Sequence, residues 1–276
     1  MSTFVLVAGA WIGEWAWEQV TDHLENLGHM VYPRSLPGLA ERIGESKPSI
    51  GIADYVSDVR SFIEAGDLSE VILVGHSFGG AVVGGVSRAI PTRLSQVVYV
   101  DTGPMPDGAA YVDFLRPDQR EFIDKLITTR GEGWKIPKPS WSEMAQSFQA
   151  SIEGLDQDQL DEFDRRATPQ PARTWTDPLK VGELAGFVTL PKTSITCSFP
   201  LAQLQAVIAS GHPWFTPMAG PEWRFVELPT GHWPMFSRSK DLARALDRVA
   251  NGAHRTAASQ PAPAWTSARA ASNSAK

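Results

Sequence analysis

The stretch VILVGHSFGG, residues 71–80, decides how this chain folds. Its first four residues form a continuous apolar run, typical of a strand that is covered on both faces. The apolar spacing from Phe78 to Ile90 predicts a helix immediately afterwards. A sharp strand-to-helix turn at Ser77 tolerates only small neighbours, and Gly75 and Gly79 provide them. In this context Gly-x-Ser-x-Gly is the pattern of a nucleophile elbow, so Ser77 is the candidate nucleophile.

The alternative interpretation of this stretch is a glycine-rich turn that binds phosphate. The second and third glycines of the Gly-x-Gly-x-x-Gly pattern are misplaced here, which disfavours that interpretation. A serine at a helix N-terminus also meets a partial positive charge that stabilises a developing oxyanion. The turn therefore favours nucleophilic chemistry at Ser77.

A serine needs a neighbouring base to become a nucleophile. The chain has six histidines. His232 is the candidate base, because it lies in a loop between a predicted strand, Trp223–Leu228, and the last predicted helix, Leu242–Val249. His212, in an earlier loop, is the competing candidate.

Short apolar runs alternate with longer helical patterns along most of the chain. The predicted strands are Phe4–Val7, Met30–Tyr32, Val71–Val74, Val97–Val100, Thr193–Cys197 and Trp223–Leu228. This rhythm is typical of a parallel sheet with helices on both faces. It breaks between about Thr102 and Thr189, where helical patterns occur at Phe114–Ile127, Trp141–Ile152 and Leu155–Phe163. We therefore predict an α/β core of residues 1–104 and 187–252 and a helical cap insertion of residues 105–186. A disordered tail, rich in Ala and Ser, is predicted for residues 253–276.

Composition excludes several classes of function. The formal net charge is −6 and there is no basic block, so a nucleic-acid partner is not expected. The single cysteine, Cys197, excludes an internal disulfide framework and a Cys-based zinc site. No apolar stretch approaches the roughly 20 residues of a membrane span, and no signal peptide is apparent. We expect a cytoplasmic protein with a small-molecule substrate, no membrane partner, no metal and no nicotinamide site; a homodimer is one option for its assembly.

Several motifs in the same order resemble the α/β-hydrolase superfamily. They are FVLVAGAWIGEWAW at 4–17, the elbow, Pro169-Gln170-Pro171 and GHWPMF at 231–236. Within the superfamily they are similar to the branch of the plant methyl-ester esterases, the hydroxynitrile lyases and their bacterial relatives. The resemblance covers about residues 3–251. It implies a six-stranded, mostly parallel core with a helical cap, a Ser-acid-His triad with Ser77 and His232, and no cofactor. It also implies an oxyanion hole formed by the backbone N–H groups of Ala10 and Phe78.

Two departures from the family pattern concern the site. The family usually has His-Gly after the first strand, where this chain has Ala8-Gly9. The acid usually follows the strand that ends here at Cys197, but the next carboxylate is Glu222. Asp101, which closes the preceding strand, is the candidate replacement. A Ser-His dyad and a carboxylate from the cap are the other two interpretations.

The substrate pocket is expected to be aromatic. The chain has ten tryptophans, of which Trp11 adjoins the predicted oxyanion loop and Trp233 follows the base. Both are candidate substrate-binding residues. The hydroxynitrile lyases have a lysine directly after the base, where this chain has Trp233. The sequence therefore predicts a carboxylic-ester hydrolase that cleaves a small ester, lactone or carbamate through an acyl-enzyme on Ser77. A non-hydrolytic lyase and a ligand-binding protein with a degraded triad are the alternatives.

Overall fold

The computed structural model describes residues 1–180, 189–212 and 215–252. The strands are β1 Thr3–Val7, β2 Met30–Arg34, β3 Val71–His76, β4 Leu94–Val100, β5 Lys135–Ile136, β6 Gln170–Pro171, β7 Lys192–Thr196 and β8 Trp223–Glu227. Within the described residues, six of them form one sheet in the order β2-β1-β3-β4-β7-β8, with every neighbouring pair parallel. The predicted α/β fold is confirmed.

The residues of a central strand and of an edge strand suit their positions in the sheet. All residues of β3 are buried, as expected for a continuous apolar strand in the middle of a sheet covered on both faces. The strand β2 lies at the edge and continues through Pro33 to Arg34, beyond the predicted end at Tyr32. An edge position tolerates Pro33, because one side of an edge strand makes no ladder hydrogen bonds.

Ten helices accompany the sheet in the described part of the chain. They are α1 Glu18–Asn26, α2 Ile52–Ala65, α3 Gly79–Ala89, α4 Pro117–Thr129, α5 Trp141–Glu143, α6 Gln157–Arg166, α7 Arg173–Thr176, α8 Leu201–Ala209, α9 Pro234–Ser237 and α10 Ser239–Ala250. Gly28, with a φ of 86°, ends α1 in the left-handed conformation that glycine adopts without strain. The last helix, predicted for Leu242–Val249, begins three residues earlier, at Ser239, with Arg238 as its N-cap.

Residues 101–180 contain α4 to α7 and the two-stranded antiparallel sheet of β5 and β6. The sequence did not predict this small sheet, because each of its strands has only two residues. The helix expected at Trp141–Ile152 is instead α5 followed by a π-helical turn, Met144–Phe148, which ends where Gln149 takes a φ of 55°.

The limits of the core and of the cap stay a prediction, and the predicted tail lies outside the described residues. None of the helices that the structure describes is both long and apolar enough to cross a bilayer.

Candidate active site

Ser77 lies in the turn between β3 and α3, at the edge of the sheet where the parallel strands end. Its φ is 51°, and its amide donates a hydrogen bond to the Val100 carbonyl at 3.1 Å. A Cβ at Gly75 would lie 2.6 Å from a methyl carbon of Val83, and one at Gly79 would lie 2.7 Å from a carbonyl oxygen of the loop after β1. Both positions therefore require glycine for lack of space, as the elbow pattern predicts.

His232 lies beside Ser77. Its Nε2 is 2.9 Å from Ser77 Oγ, so the neutral ring can accept the serine proton. The loop that holds the ring is tied to the segment before α6: the Gly231 amide donates to the Glu153 carbonyl at 3.0 Å, and the His232 amide donates to the Ser151 carbonyl at 2.8 Å. The competing candidate, His212, is exposed on the loop after α8, and its ring contacts Phe215.

Asp101 lies on the other side of the imidazole. Its Oδ2 is 2.6 Å from His232 Nδ1, and its side chain is only 4% exposed. Burial by itself would raise the pKa of Asp101. The hydrogen bonds that it accepts from His232, Ser198 and the Cys197 amide outweigh burial and lower the pKa of Asp101 to about 2. The side chain is thus an ionised carboxylate, which fixes the tautomer of the ring and stabilises its protonated form.

The segment after β7, where the family usually has its acid, supports Asp101. The amides of Cys197 and Ser198 donate to Asp101 Oδ1 at 2.9 and 3.0 Å, and the Ser198 hydroxyl donates to Oδ2 at 2.5 Å. This contact is available because β4 and β7 are neighbours in the sheet. Of the three interpretations that the sequence left open, the geometry matches a carboxylate that comes from the end of β4.

The predicted oxyanion amides, those of Ala10 and Phe78, flank the elbow. Phe78 directly follows Ser77 at the start of α3, and Ala10 lies in the loop after β1. That loop passes so close to the elbow that a Cβ at Gly9 would lie 2.9 Å from His76 Nδ1 and 3.0 Å from Ser77 Cβ. The glycine therefore allows the Ala10 backbone to approach the nucleophile.

The loop after β1 that carries Ala10, here called the oxyanion loop, is held by hydrogen bonds to residues 101–180. Trp11, which follows Ala10, takes a φ of 67°. Its amide donates to Gln170 Oε1 at 3.3 Å, and its indole N–H donates to the Ile136 carbonyl at 3.0 Å. Gln170 is fully buried. The sequence quoted Gln170 only as part of a family motif, and no signal in one sequence shows that its side chain reaches the backbone of residue 11.

His76 contacts the backbone of the candidate base, His232. It is fully buried, its Nε2 lies 2.7 Å from the His232 carbonyl oxygen, and its Nδ1 has no partner. Burial, together with the neighbouring His232 ring, lowers the pKa of His76 to about 3. The ring is therefore neutral and donates from Nε2 to the His232 backbone.

Two chambers open onto the Ser77–His232–Asp101 group. The serine chamber has a volume of about 300 Å³, and Ala10 and Ser77 form part of its wall. Both candidate tryptophans, Trp11 and Trp233, also line it. The apolar chamber, of about 340 Å³, touches His232 and Asp101 and is otherwise lined mainly by apolar side chains. Among the described residues that line the two chambers, none is a lysine or an arginine.

Tyr111 stands between the two chambers, and the sequence did not single it out. Burial raises the pKa of Tyr111 to about 12, although an interaction with the Ser77 side chain opposes this shift. Its ring packs against Phe78 and Trp175, with centroids 5.0 and 4.7 Å apart. The phenol is therefore protonated and is fixed beside the nucleophile.

The model of the alpha/beta hydrolase family matches residues 4–245. The chain belongs to this family. It is similar to a carbendazim hydrolyzing esterase of Nocardioides sp. (strain SG-4G), with 28% identity over 253 residues that cover 89% of this chain and 98% of the relative. It is also similar to Methylesterase 3 of Arabidopsis thaliana, with 27% identity over 90% of this chain and 95% of the relative. A solved extracellular α/β-hydrolase from a Paenibacillus species shares the fold, with a TM-score of 0.73, 24% identity and coverage of 90% of this chain and 98% of that one.

These findings confirm the predicted resemblance to the methylesterase branch of the α/β-hydrolases and the predicted enzyme class, a carboxylic-ester hydrolase. In this family member the described residues contain no group of three or more His, Cys, Asp or Glu side chains placed to hold a metal ion.

Proposed function

We propose that this α/β-hydrolase cleaves carboxylic esters through an acyl-enzyme on Ser77. The observation that carries the proposal is the continuous chain of hydrogen bonds from Ser77 Oγ to His232 Nε2, at 2.9 Å, and from His232 Nδ1 to Asp101 Oδ2, at 2.6 Å. This chain places a base on the nucleophile and a carboxylate on the base.

In the first half of the proposed reaction, His232 takes the proton of Ser77 as Oγ bonds to the carbonyl carbon. The amides of Ala10 and Phe78 donate hydrogen bonds to the oxyanion that forms. The protonated ring then gives its proton to the oxygen of the leaving alcohol as the carbon–oxygen bond breaks, while Asp101 stays ionised.

In the second half, a water molecule replaces the alcohol beside His232. The ring removes a proton from the water as its oxygen bonds to the acyl carbon, and the same proton returns to Ser77 Oγ when the acid departs. The enzyme is restored without any cofactor in the sequence of steps.

The chambers favour neutral substrates. A carboxylate or phosphate on the substrate would meet no lysine or arginine among the described lining residues, and it would lie near the Asp101 carboxylate. Lactones and carbamates fit the same requirement, since both present a neutral acyl group with an oxygen leaving group. The relative from Nocardioides, named for carbendazim, is consistent with a substrate of this kind.

The two alternatives receive less support. A ligand-binding protein with a degraded triad was suggested by the missing acid after β7, and the bond from Asp101 to His232 removes that reason. A lyase that does not form an acyl-enzyme would not need Ser77 as a nucleophile. No separate observation favours either alternative.

The test is the intact mass of the protein after exposure to a fluorophosphonate probe, for the wild type and for Ser77→Ala. One adduct on the wild type and none on Ser77→Ala is the expected result. It should be accompanied by a burst of nitrophenol from a p-nitrophenyl ester and by a loss of turnover in Ser77→Ala of at least about 10⁴-fold. A folded wild type that forms no adduct and shows no burst would overturn the proposal.

A further inference from the structure

The two chambers differ in which residues of the candidate site line them. Ser77 and Ala10 line only the serine chamber, whereas His232 and Asp101 line both chambers. The residues shared by the two walls, which mark the boundary between the chambers, are Asp101, Thr102, Tyr111, Leu115, Ser198 and His232. A substrate that reacts at Ser77 therefore has two separate spaces available to it, one beside the nucleophile and one beyond the base.

The chemistry of acyl transfer assigns the two spaces. The acyl carbon must bond to Ser77 with its oxygen near the Ala10 amide, so the acyl part lies in the serine chamber. The leaving oxygen must receive its proton from His232 Nε2. Both chambers are lined by His232, and the acyl part occupies the one that also contains Ser77. The group attached to the leaving oxygen therefore extends past the imidazole, into the chamber that is lined by His232 but not by Ser77.

The wall of the apolar chamber defines which leaving group it accepts. Met105, Leu204 and Met218 are buried in it, and Phe199 and Phe215 are half-buried. Its volume of about 340 Å³ is more than twice the roughly 150 Å³ of a cavity that holds benzene. A methyl group would leave most of this space unfilled.

We propose that the apolar chamber is a binding site for the leaving group, and that the preferred substrates are esters of neutral, apolar alcohols at least as large as benzyl alcohol. The inference rests on the proposed ester hydrolysis and goes beyond it by naming which half of the substrate carries the bulk. Its consequence is that methyl esters are poor substrates of this chain.

The first experiment compares the methyl and benzyl esters of one small neutral acid. Methanol and benzyl alcohol are leaving groups of nearly equal basicity, so a difference in kcat/KM reports binding in the transition state. We expect the benzyl ester to have the higher kcat/KM by at least about 100-fold, since each additional methylene buried in an apolar pocket contributes about tenfold or more. Equal values for the two esters would overturn the inference.

Gly103 offers a direct way to fill the chamber. It lines the apolar chamber, its φ is not in the left-handed region, and a Cβ there would meet only the sulfur of Met218, at 3.4 Å. Gly103→Leu should lower the benzyl-to-methyl preference at least tenfold. Gly44→Leu is the matched control, because Gly44 is exposed with open space around it, and its preference should equal that of the wild type.

Pre-steady-state kinetics distinguish the leaving group from the acyl group. The alcohol has departed before deacylation, so the loss in Gly103→Leu should occur in the acylation step. A loss that occurs in deacylation would place the acyl group in the apolar chamber and overturn the assignment. If Gly103→Leu does not fold, Leu204→Phe adds bulk to the same chamber from α8 and makes the same test.

The outcomes separate this inference from the proposed function. A fluorophosphonate adduct on Ser77 together with equal cleavage of the two esters would leave ester hydrolysis standing and overturn only the leaving-group assignment. Absence of the adduct and of any ester cleavage would overturn both.

Discussion

The sheet and the segment between β4 and β7 contribute different things to the site. The proposed nucleophile and acid follow adjacent strands, β3 and β4, and both have left-handed backbones, with φ of 51° at Ser77 and 49° at Asp101. The segment of residues 105–180 contributes backbone carbonyls to the loop of His232 and a side-chain amide to the loop of Ala10. The reacting groups thus come from the core, and the bonds that orient their loops come largely from outside the sheet.

The two regions should respond differently to mutation. Changes to the groups at the edge of the sheet should abolish the reaction, whereas changes in residues 105–180 should only reduce its rate. A buried sheet over-determines the strained turns at its edge, because strands packed on both sides leave the chain no alternative path. The bonds from residues 105–180 are single hydrogen bonds, each worth about 1 kcal/mol. Changes to Ser77 and Asp101, at the edge of the sheet, should therefore reduce kcat much more than changes to the hydrogen-bonding groups of residues 105–180.

After Ser77 itself, the largest effect should come from the acid. Asp101→Asn removes the ionised partner of His232 and favours the wrong tautomer of the ring, so kcat should fall at least 100-fold and by as much as about 10⁴-fold. Steady-state hydrolysis of a p-nitrophenyl ester measures this. Asp158→Asn, at an exposed position in α6, is the matched control. A loss of tenfold or less would exclude Asp101 from the triad.

A smaller effect should follow from the brace of the oxyanion loop. Gln170→Leu removes the acceptor of the Trp11 amide, so the neighbouring Ala10 amide is oriented less well and kcat should fall about fivefold to tenfold, with a smaller change in KM. Gln157→Leu makes the same substitution at an exposed position of α6 and should leave kcat as it is. An unchanged kcat in Gln170→Leu would show that the brace does not act on the reaction.

The last effect concerns His76 and is measured as stability and not as kcat. The ring is neutral when folded, with its pKa lowered to about 3, whereas an exposed histidine in the unfolded chain has a pKa of about 6.5. Between these values the unfolded chain binds a proton that the folded chain does not, so the free energy of unfolding decreases as the pH falls, by about 1 kcal/mol per pH unit.

His76→Gln should remove this contribution while keeping a donor for the His232 carbonyl. Urea unfolding between pH 6.5 and 4.5 should then give a shallower pH dependence for His76→Gln than for the wild type. The range lies above the window in which Asp101 titrates. Parallel curves for the two proteins would mean that His76 becomes protonated in the folded state.

Much of the site could be predicted from local patterns. Ser77 is fixed by its immediate neighbours, since Gly75 and Gly79 are needed for space at the turn itself. His232 was identified from its place between the last strand and the last helix. Asp101 was only one of three interpretations, because its partners Cys197 and Ser198 are nearly a hundred residues away in the chain. The role of Gln170, the place of Tyr111 and the division of the pocket into two chambers were not predicted.

Local sequence patterns were sufficient to predict the parallel α/β sheet, the elbow and the candidate nucleophile and base. These follow from short-range causes: apolar periodicity, glycine at a crowded turn, and loops that must emerge where parallel strands end. Only the tertiary structure decided which carboxylate meets His232, what braces the oxyanion loop and how the space beside Ser77 is divided. Those features depend on which strands are neighbours and on how distant segments pack, and no local pattern in one sequence encodes the distance between residues far apart in the chain.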